Sequence, residues 1–207
     1  MVDCITLDQM PALAPAPTLT YADYLQLEEV GDVRHEYCQG VVLAMAGGTG
    51  AHARLKTNLT GLLHAALKGR PCQPRDVDQR VRIAETDLST YPDLSVVCGR
   101  RVPAEDDPHS LTNPTVLFEV LSKSTAGYDY GEKFDHYAHL ASLRQYVLVD
   151  SERVHVDVYT RLANGTWARR GHGPEQTVRL DSIDVTLVMA ELYEGWAEER
   201  EIDAGKG

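Results

Sequence analysis

Two short runs of the chain, YPDLSVVC (residues 91–98) and TVLFEVL (115–121), are apolar almost throughout, which restricts the folds they can serve. A strand with one face in water alternates polar and apolar residues, whereas a strand covered on both faces reads as a nearly continuous apolar stretch. Both runs therefore belong at the centre of a sheet that carries other structure on each side. Each nonetheless holds a carboxylate, Asp93 in the first and Glu119 in the middle of the second. An ionised carboxylate removed from water is costly unless something pairs with it, so a cation, a metal ion or a proton is expected beside Glu119.

The covering elements can be read from periodicity. Between Gly50 and Lys68 the residues Leu55, Leu59, Leu62, Leu63, Ala66 and Leu67 form one stripe of a helix, which Gly69 ends. A second helix is expected from about Tyr128 to Leu140, with Phe134, Tyr137, Ala138 and Ala141 as its apolar side, and Thr20 reads as the N-cap of a short helix through about Glu29. Residues 34–46 suit two strands that turn at Gln39-Gly40, with Glu36 on the first arm. Over residues 77–83 Val77, Val81 and Ile83 alternate with Asp78, Arg80 and Arg82, the pattern of a half-exposed strand. QYVLVD (145–150) and VHVDVYT (154–160) form a further hairpin, and weaker strands near 166–169, 176–180 and 185–189 lead into a last acidic helix. The polar loop 99–114 is long enough to suggest a functional role or mobility. The whole reads as a single α/β domain over residues 18–197, with a loose arm at 1–17 that contains Pro11, Pro15 and Pro17, and an acidic tail at 198–207.

Composition narrows the functional classes. A chain of 207 residues with 43% hydrophobic and 25% charged content suits one soluble domain. No stretch approaches the roughly 18 apolar residues of a membrane span. The N-terminus, with Asp3 and Asp8, lacks the basic start of a signal peptide, so a cytoplasmic location is expected. Cys4, Cys38, Cys72 and Cys98 lie far apart without a CxxC pair, which suggests neither a zinc site nor a disulfide framework, and reduced thiols are expected. The net charge of −11 argues against nucleic-acid binding by bulk positive charge, yet residues 51–82 carry Arg54, Lys56, Lys68, Arg70, Arg75, Arg80 and Arg82 against Asp76 and Asp78, a local +5 that leaves −16 for the remainder.

If the two apolar strands are neighbours and the face of Asp93, Ser95 and Val97 coincides with that of Leu117, Glu119 and Leu121, two carboxylates converge. Two such anions repel unless one is protonated or a cation lies between them. Mg²⁺ accepts one or two carboxylates, keeps several waters for a phosphate-bearing substrate, acidifies a bound water and polarises a phosphodiester. Hydrolysis of a phosphodiester is the chemistry that fits. Plainer readings stand beside it. Asp93 can cap a turn after Pro92, and Lys133 can pair with Asp129 one turn away on an exposed helix face. Glu36 is either a further ligand or a strand residue near Arg34; His52 packs on the buried side of its helix; Ser122 and Ser124 shape a turn, with no G-x-S-x-G around them.

These motifs also occur in a familiar order: Pro92-Asp93 opening a strand, Phe118-Glu119-Val120-Leu121-Ser122, a Ser/Thr turn, Lys133 and Tyr137 on the next helix, then Gln145 to Asp150. Together with the Glu36…Gly40 hairpin and His52 they resemble the Uma2 family (DUF820-type endonucleases) over about residues 20–160. That family is grouped with the PD-(D/E)XK, restriction-endonuclease-like nucleases. The resemblance implies a mixed central β-sheet flanked by helices. It implies an endonuclease, dependent on Mg²⁺ or Mn²⁺, that hydrolyses DNA, with Asp93, Glu119 and Glu36 as metal ligands and Lys133 completing the catalytic set. Nucleases of this type often cut both strands as dimers, so with a single domain a homodimer is expected, and no membrane partner. The general motif places lysine two residues after the glutamate, where this chain has Leu121; the resembled family draws it from the following helix, which points to Lys133, with Lys123 as the rival. Two other functions remain open, a non-catalytic nucleic-acid or protein-binding module using the +5 segment and a metal-free glycoside hydrolase with two carboxylates.

Overall fold

The structure, a computed structural model, describes residues 18–45 and 47–205; the arm expected over 1–17, with Cys4, lies outside the described residues. Helix α1 (Tyr21–Val30) starts from a capping box, in which the Asp23 N–H donates to the Thr20 hydroxyl and the Thr20 N–H donates to the Asp23 carboxylate at 3.0 Å. Strands β1 (His35–Cys38) and β2 (Val41–Ala44) pair antiparallel as the expected hairpin. Its turn needs positive φ at both central residues, 49° at Gln39 and 88° at Gly40, and a Cβ on Gly40 would come within 2.7 Å of the Thr18 Cβ, so glycine is required there. Helix α2 (Gly50–Leu67) buries Ala51, Leu55, Leu59, Leu63 and Leu67; Leu62 is half-buried and Ala66 exposed, at the margins of the stripe.

Strands β3 (Cys72–Arg75), β4 (Val81–Ile83), β5 (Leu88–Thr90), β6 (Leu94–Cys98), β7 (Val116–Leu121), β8 (Gln145–Asp150), β9 (Val156–Arg161) and β10 (Trp167–His172) divide between two sheets. The central sheet has the order β10-β9-β8-β7-β6-β3, and the smaller sheet has the order β2-β1-β5-β4. Only β7 and β8 run parallel in the central sheet; their crossover holds α3 (Ala126–Tyr130) and α4 (Glu132–Ala138). The ribbon β11 (Thr177–Leu180) with β12 (Val185–Val188), then α5 (Met189–Leu192) and α6 (Trp196–Ala204), complete the chain. The expected mixed sheet flanked by helices is what forms.

Every residue of β7 is buried, and its alternation defines two cores. Val116, Phe118 and Val120 pack with the α2 leucines, the β11-β12 ribbon and α5. Leu117 and Leu121 pack with Val81, Ile83 and Leu88 of the smaller sheet and with Tyr137 and Leu140. Glu119 shares this second face, so its carboxylate is directed between the central sheet, α4 and the small sheet.

Three expectations are corrected, and the loop 99–114 takes a defined course. The half-exposed strand over 77–83 shrinks to β4, and Arg80 and Arg82 are buried: Arg80 Nε donates to Asp107 at 2.7 Å, and Arg82 meets Asp87 at 2.9 Å and Asp106 at 3.3 Å. The acids that hold them lie up to 27 residues away, so strand alternation alone gives the wrong exposure. The loop 99–114 is pinned, with Asp107, Ser110 and Leu111 buried, the Leu111 N–H donating to Arg80 O at 2.8 Å and the Arg101 guanidinium donating to Pro108 O at 3.0 Å. The expected helix over 128–140 breaks at Gly131 into α3 and α4. Cys72 and Cys98, expected as thiols, form a disulfide, because β3 pairs with β6 in a register that sets them opposite each other; Cys38 is a half-buried thiol. Among the described residues no helix is long and apolar enough to cross a membrane.

Asp107 also accepts from Tyr21 at 3.0 Å and is 1% exposed, so Asp107→Ala takes away the nearest anion of the Arg80 guanidinium and leaves it with Tyr91 at 2.8 Å and Glu28 at 4.0 Å. We expect a loss of about 3 kcal/mol, read as a lower urea midpoint at unchanged slope.

Candidate active site

The Glu119 carboxylate is held by α4, and through it is linked to two further elements. Its Oε1 accepts from the Tyr137 hydroxyl at 2.8 Å and lies 3.0 Å from Lys133 Nζ, both on α4. The same ammonium lies 3.0 Å from Glu36 Oε1 on β1 and 3.6 Å from Asp129 Oδ1 on α3. One buried cation thus faces three carboxylates. The pairing of Lys133 with Asp129 does form, but in the interior and across the helix break, where Gly131 separates the two short helices. Thr90 of β5 donates its hydroxyl to Glu36, which locates that acid on the neighbouring sheet. Lys123 is exposed and is no part of the cluster.

Asp93 stands immediately before β6 and not within it. The register Leu94↔Phe118 brings it beside the end of β7, where its Oδ2 accepts the Val120 N–H at 2.7 Å and its own N–H donates to Glu119 Oε2 at 3.3 Å. The two acids are therefore joined through the backbone of paired strands. The Asp93 side chain then meets α2, with Lys56 Nζ 2.7 Å from Oδ1 and His52 Nε2 3.5 Å from Oδ2. Spaced i and i+4, these two side chains lie on one face of the helix. Sequence reading counted Lys56 only as part of a basic surface. Its spacing from His52, along the border of the leucine stripe, was the available signal. Asp129 was considered only as an exposed partner and Thr90 was not considered; both depend on chain crossings that no local pattern reveals.

Burial pushes the Asp93 carboxyl up, but His52 and Lys56 beside it more than offset this and hold it at about 2. Burial, reinforced by the anions of Asp93 and Asp129, pushes Glu119 the other way, up to about 8, even against the pull of Lys133. Burial disfavours the charged form of Lys133, yet Glu119, Glu36 and Asp129 hold it well above the ordinary lysine range. Lys133 therefore stays an ammonium ion, while burial pushes Asp129 up as well as Glu119, so protonation in this group falls on the acids.

Four carboxylates, Asp93, Glu119, Glu36 and Asp129, surround the two ammonium groups of Lys133 and Lys56, an excess of two negative charges. A proton on Glu119 relieves one. A hard divalent cation relieves both, and a set of carboxylate oxygens is the donor chemistry that such an ion takes. Among the described residues no three of His, Cys, Asp and Glu are already gathered as a metal cage. The ammonium groups hold those oxygens instead. A cavity of about 310 Å³ lined by Glu28, Arg34, Arg80, Tyr91 and Asp107 is separate, with no lining residue in this cluster.

These acids and the lysine are thus carried by a mixed central sheet flanked by helices. The model of the Uma2 family, described as "Putative restriction endonuclease", matches residues 21–190, and the chain belongs to that family. Two uncharacterised proteins of Synechocystis sp. (strain PCC 6803) are similar to it. One is 35% identical over 184 residues, covering 89% of this chain and 96% of the relative. The other is 34% identical over 158 residues, covering 76% and 89%. The crystal structure of "a putative nuclease belonging to DUF820" from Anabaena variabilis shares the fold, with a TM-score of 0.70 at 20% identity over 86% of this chain and 98% of that one.

Glu119 holds a proton in the folded chain up to about pH 8, while its ordinary value is 4.5. Below pH 4.5 folded and unfolded states are both protonated and the stabilising contribution is complete; it is lost as pH rises towards 8. Asp93, held at about 2 against an ordinary 3.8, contributes an opposite slope confined to the acid range. In EDTA, the Tm of the wild type relative to that of Glu119→Gln should fall between pH 5 and pH 8. Parallel Tm profiles would show that Glu119 does not carry this proton.

Proposed function

We propose that this protein is a divalent-metal-dependent endonuclease that hydrolyses phosphodiester bonds of DNA, with Mg²⁺ or Mn²⁺ as its cofactor. The observation that carries this reading is the position of Lys133. The lysine that is missing two residues after Glu119, at Leu121, is supplied by α4, with its Nζ 3.0 Å from the Glu119 carboxylate. Support also comes from the oxygen donors and unbalanced negative charge of the cluster, and from membership of a family described as restriction endonucleases.

In this reading Asp93, Glu119 and Glu36 would hold the ion by carboxylate oxygens, with Glu119 releasing its proton to water. The ion, when bound, supplies Lewis-acid polarisation of the phosphodiester and a more acidic water. The Val120 N–H and the Tyr137 hydroxyl fix the orientation of Asp93 and Glu119. Lys133 brings a permanent positive charge to a site with little water, where such a charge stabilises the negative charge that builds up on the phosphoryl oxygens. Asp129 holds Lys133 from its other side. One such centre per chain and two strands in duplex DNA are met by a homodimer, which sedimentation equilibrium would read directly.

Supercoiled plasmid should be nicked and linearised in Mg²⁺ or Mn²⁺ and left intact in EDTA. Asp93→Ala, Glu119→Ala and Lys133→Met should each slow cleavage by about 10²- to 10³-fold or more, while near-wild-type circular dichroism confirms folding. Undiminished cleavage by a folded Asp93→Ala protein would overturn the assignment.

A further inference from the structure

We propose that Lys56 is a second cation of this centre that touches substrate: it rests on Asp93 until a divalent ion takes that carboxylate, and then turns to the scissile phosphate. The proposal deepens the nuclease reading and rests on it.

The two lysines of the cluster are placed differently. Lys133 presents its ammonium to three carboxylates, and its side chain is 7% exposed, so its charge acts on an incoming phosphate through space and not by direct contact. The Lys56 side chain is 27% exposed and its ammonium meets one carboxylate, Asp93 Oδ1, at 2.7 Å. It stands in the second turn of α2, above His52, whose Nε2 approaches the other oxygen of the same carboxylate at 3.5 Å. A lysine ammonium is a compact charge on a flexible four-carbon stem, able to swing several ångströms about a fixed Cα.

Asp93 is thus a ligand in the proposed metal centre and also the anchor of Lys56. A divalent cation and an ammonium ion repel each other and compete for one carboxylate, so each weakens the hold of the other, and this coupling is reciprocal. In the metal-free chain Lys56 occupies the place of the missing positive charge and keeps the acid ionised and ordered. With the ion bound, that ammonium is displaced at the rim of the site, where the nearest new anion is a phosphate of the substrate. Phosphate contacts by lysine are point-charge contacts, and each one adds to the salt dependence of DNA binding.

Two affinities test this, each independent of turnover. By calorimetry, Lys56→Met should bind Mn²⁺ alone about 5- to 50-fold more tightly than the wild type, because the competing charge is gone. In Ca²⁺ at saturation, the same variant should bind a short DNA duplex more weakly and with a salt slope smaller by about 1, whereas Lys56→Arg, which keeps the charge, should retain the slope. If the wild type binds Mn²⁺ and loses it in Glu119→Ala, but Lys56→Met binds Mn²⁺ no more tightly or binds DNA unchanged, the role of Lys56 is overturned and the nuclease reading stands. If the wild type binds no Mn²⁺, the nuclease reading fails and this proposal fails with it.

Discussion

A single ammonium group, Lys133 Nζ, brings together acids from three separate elements: Glu119 on the central sheet, Glu36 on the smaller sheet and Asp129 on the crossover. Each of these carboxylates is largely hidden from water, and without a shared cation their proximity would be repulsive. The same contact ties the smaller sheet and the crossover to the central sheet, and Asp129 and Lys133, on either side of the break at Gly131, are both buried.

The organisation of the acids follows from strand polarity. β6 runs antiparallel to β7, so the residue that opens the one lies beside the residues that close the other. This is why Asp93 and Glu119, 26 positions apart, are joined by a bond from the Asp93 N–H to the Glu119 carboxylate while their side chains meet different cations. Glu119 is committed to α4 and the small sheet, and Asp93 to α2. The two faces of one sheet thus contribute to one centre, and the strand ends are the place where they meet.

Much of this was legible in the sequence because it depends on local pattern. The long amphipathic helix, both hairpins and the isolation of Glu119 in an apolar strand follow from periodicity, and the order of motifs pointed to Lys133. What was not legible depends on partners remote in the chain. Arg80 and Arg82 alternate with valine and isoleucine as solvent-facing residues do, yet Asp107 and Asp87 hold them inside. β3, with Pro74 and two polar residues in four, has no strand signature, and missing it hid the Cys72–Cys98 bond as well. Several basic residues of the +5 segment are likewise engaged: Arg54 with Glu199, Arg70 with Asp184 and Lys56 with Asp93.

The beginning of α2 is closed by the last helix of the chain, where the Asp203 carboxylate accepts the N–H groups of Gly50 and Ala51 at 3.2 and 3.0 Å. A helix start is ordinarily an inviting berth for phosphate, since unpaired amides and the positive end of the helix dipole converge there. Here an acidic plug fills that berth. The Gly50 and Ala51 amides are therefore already engaged within the fold and are closed to an anion from outside.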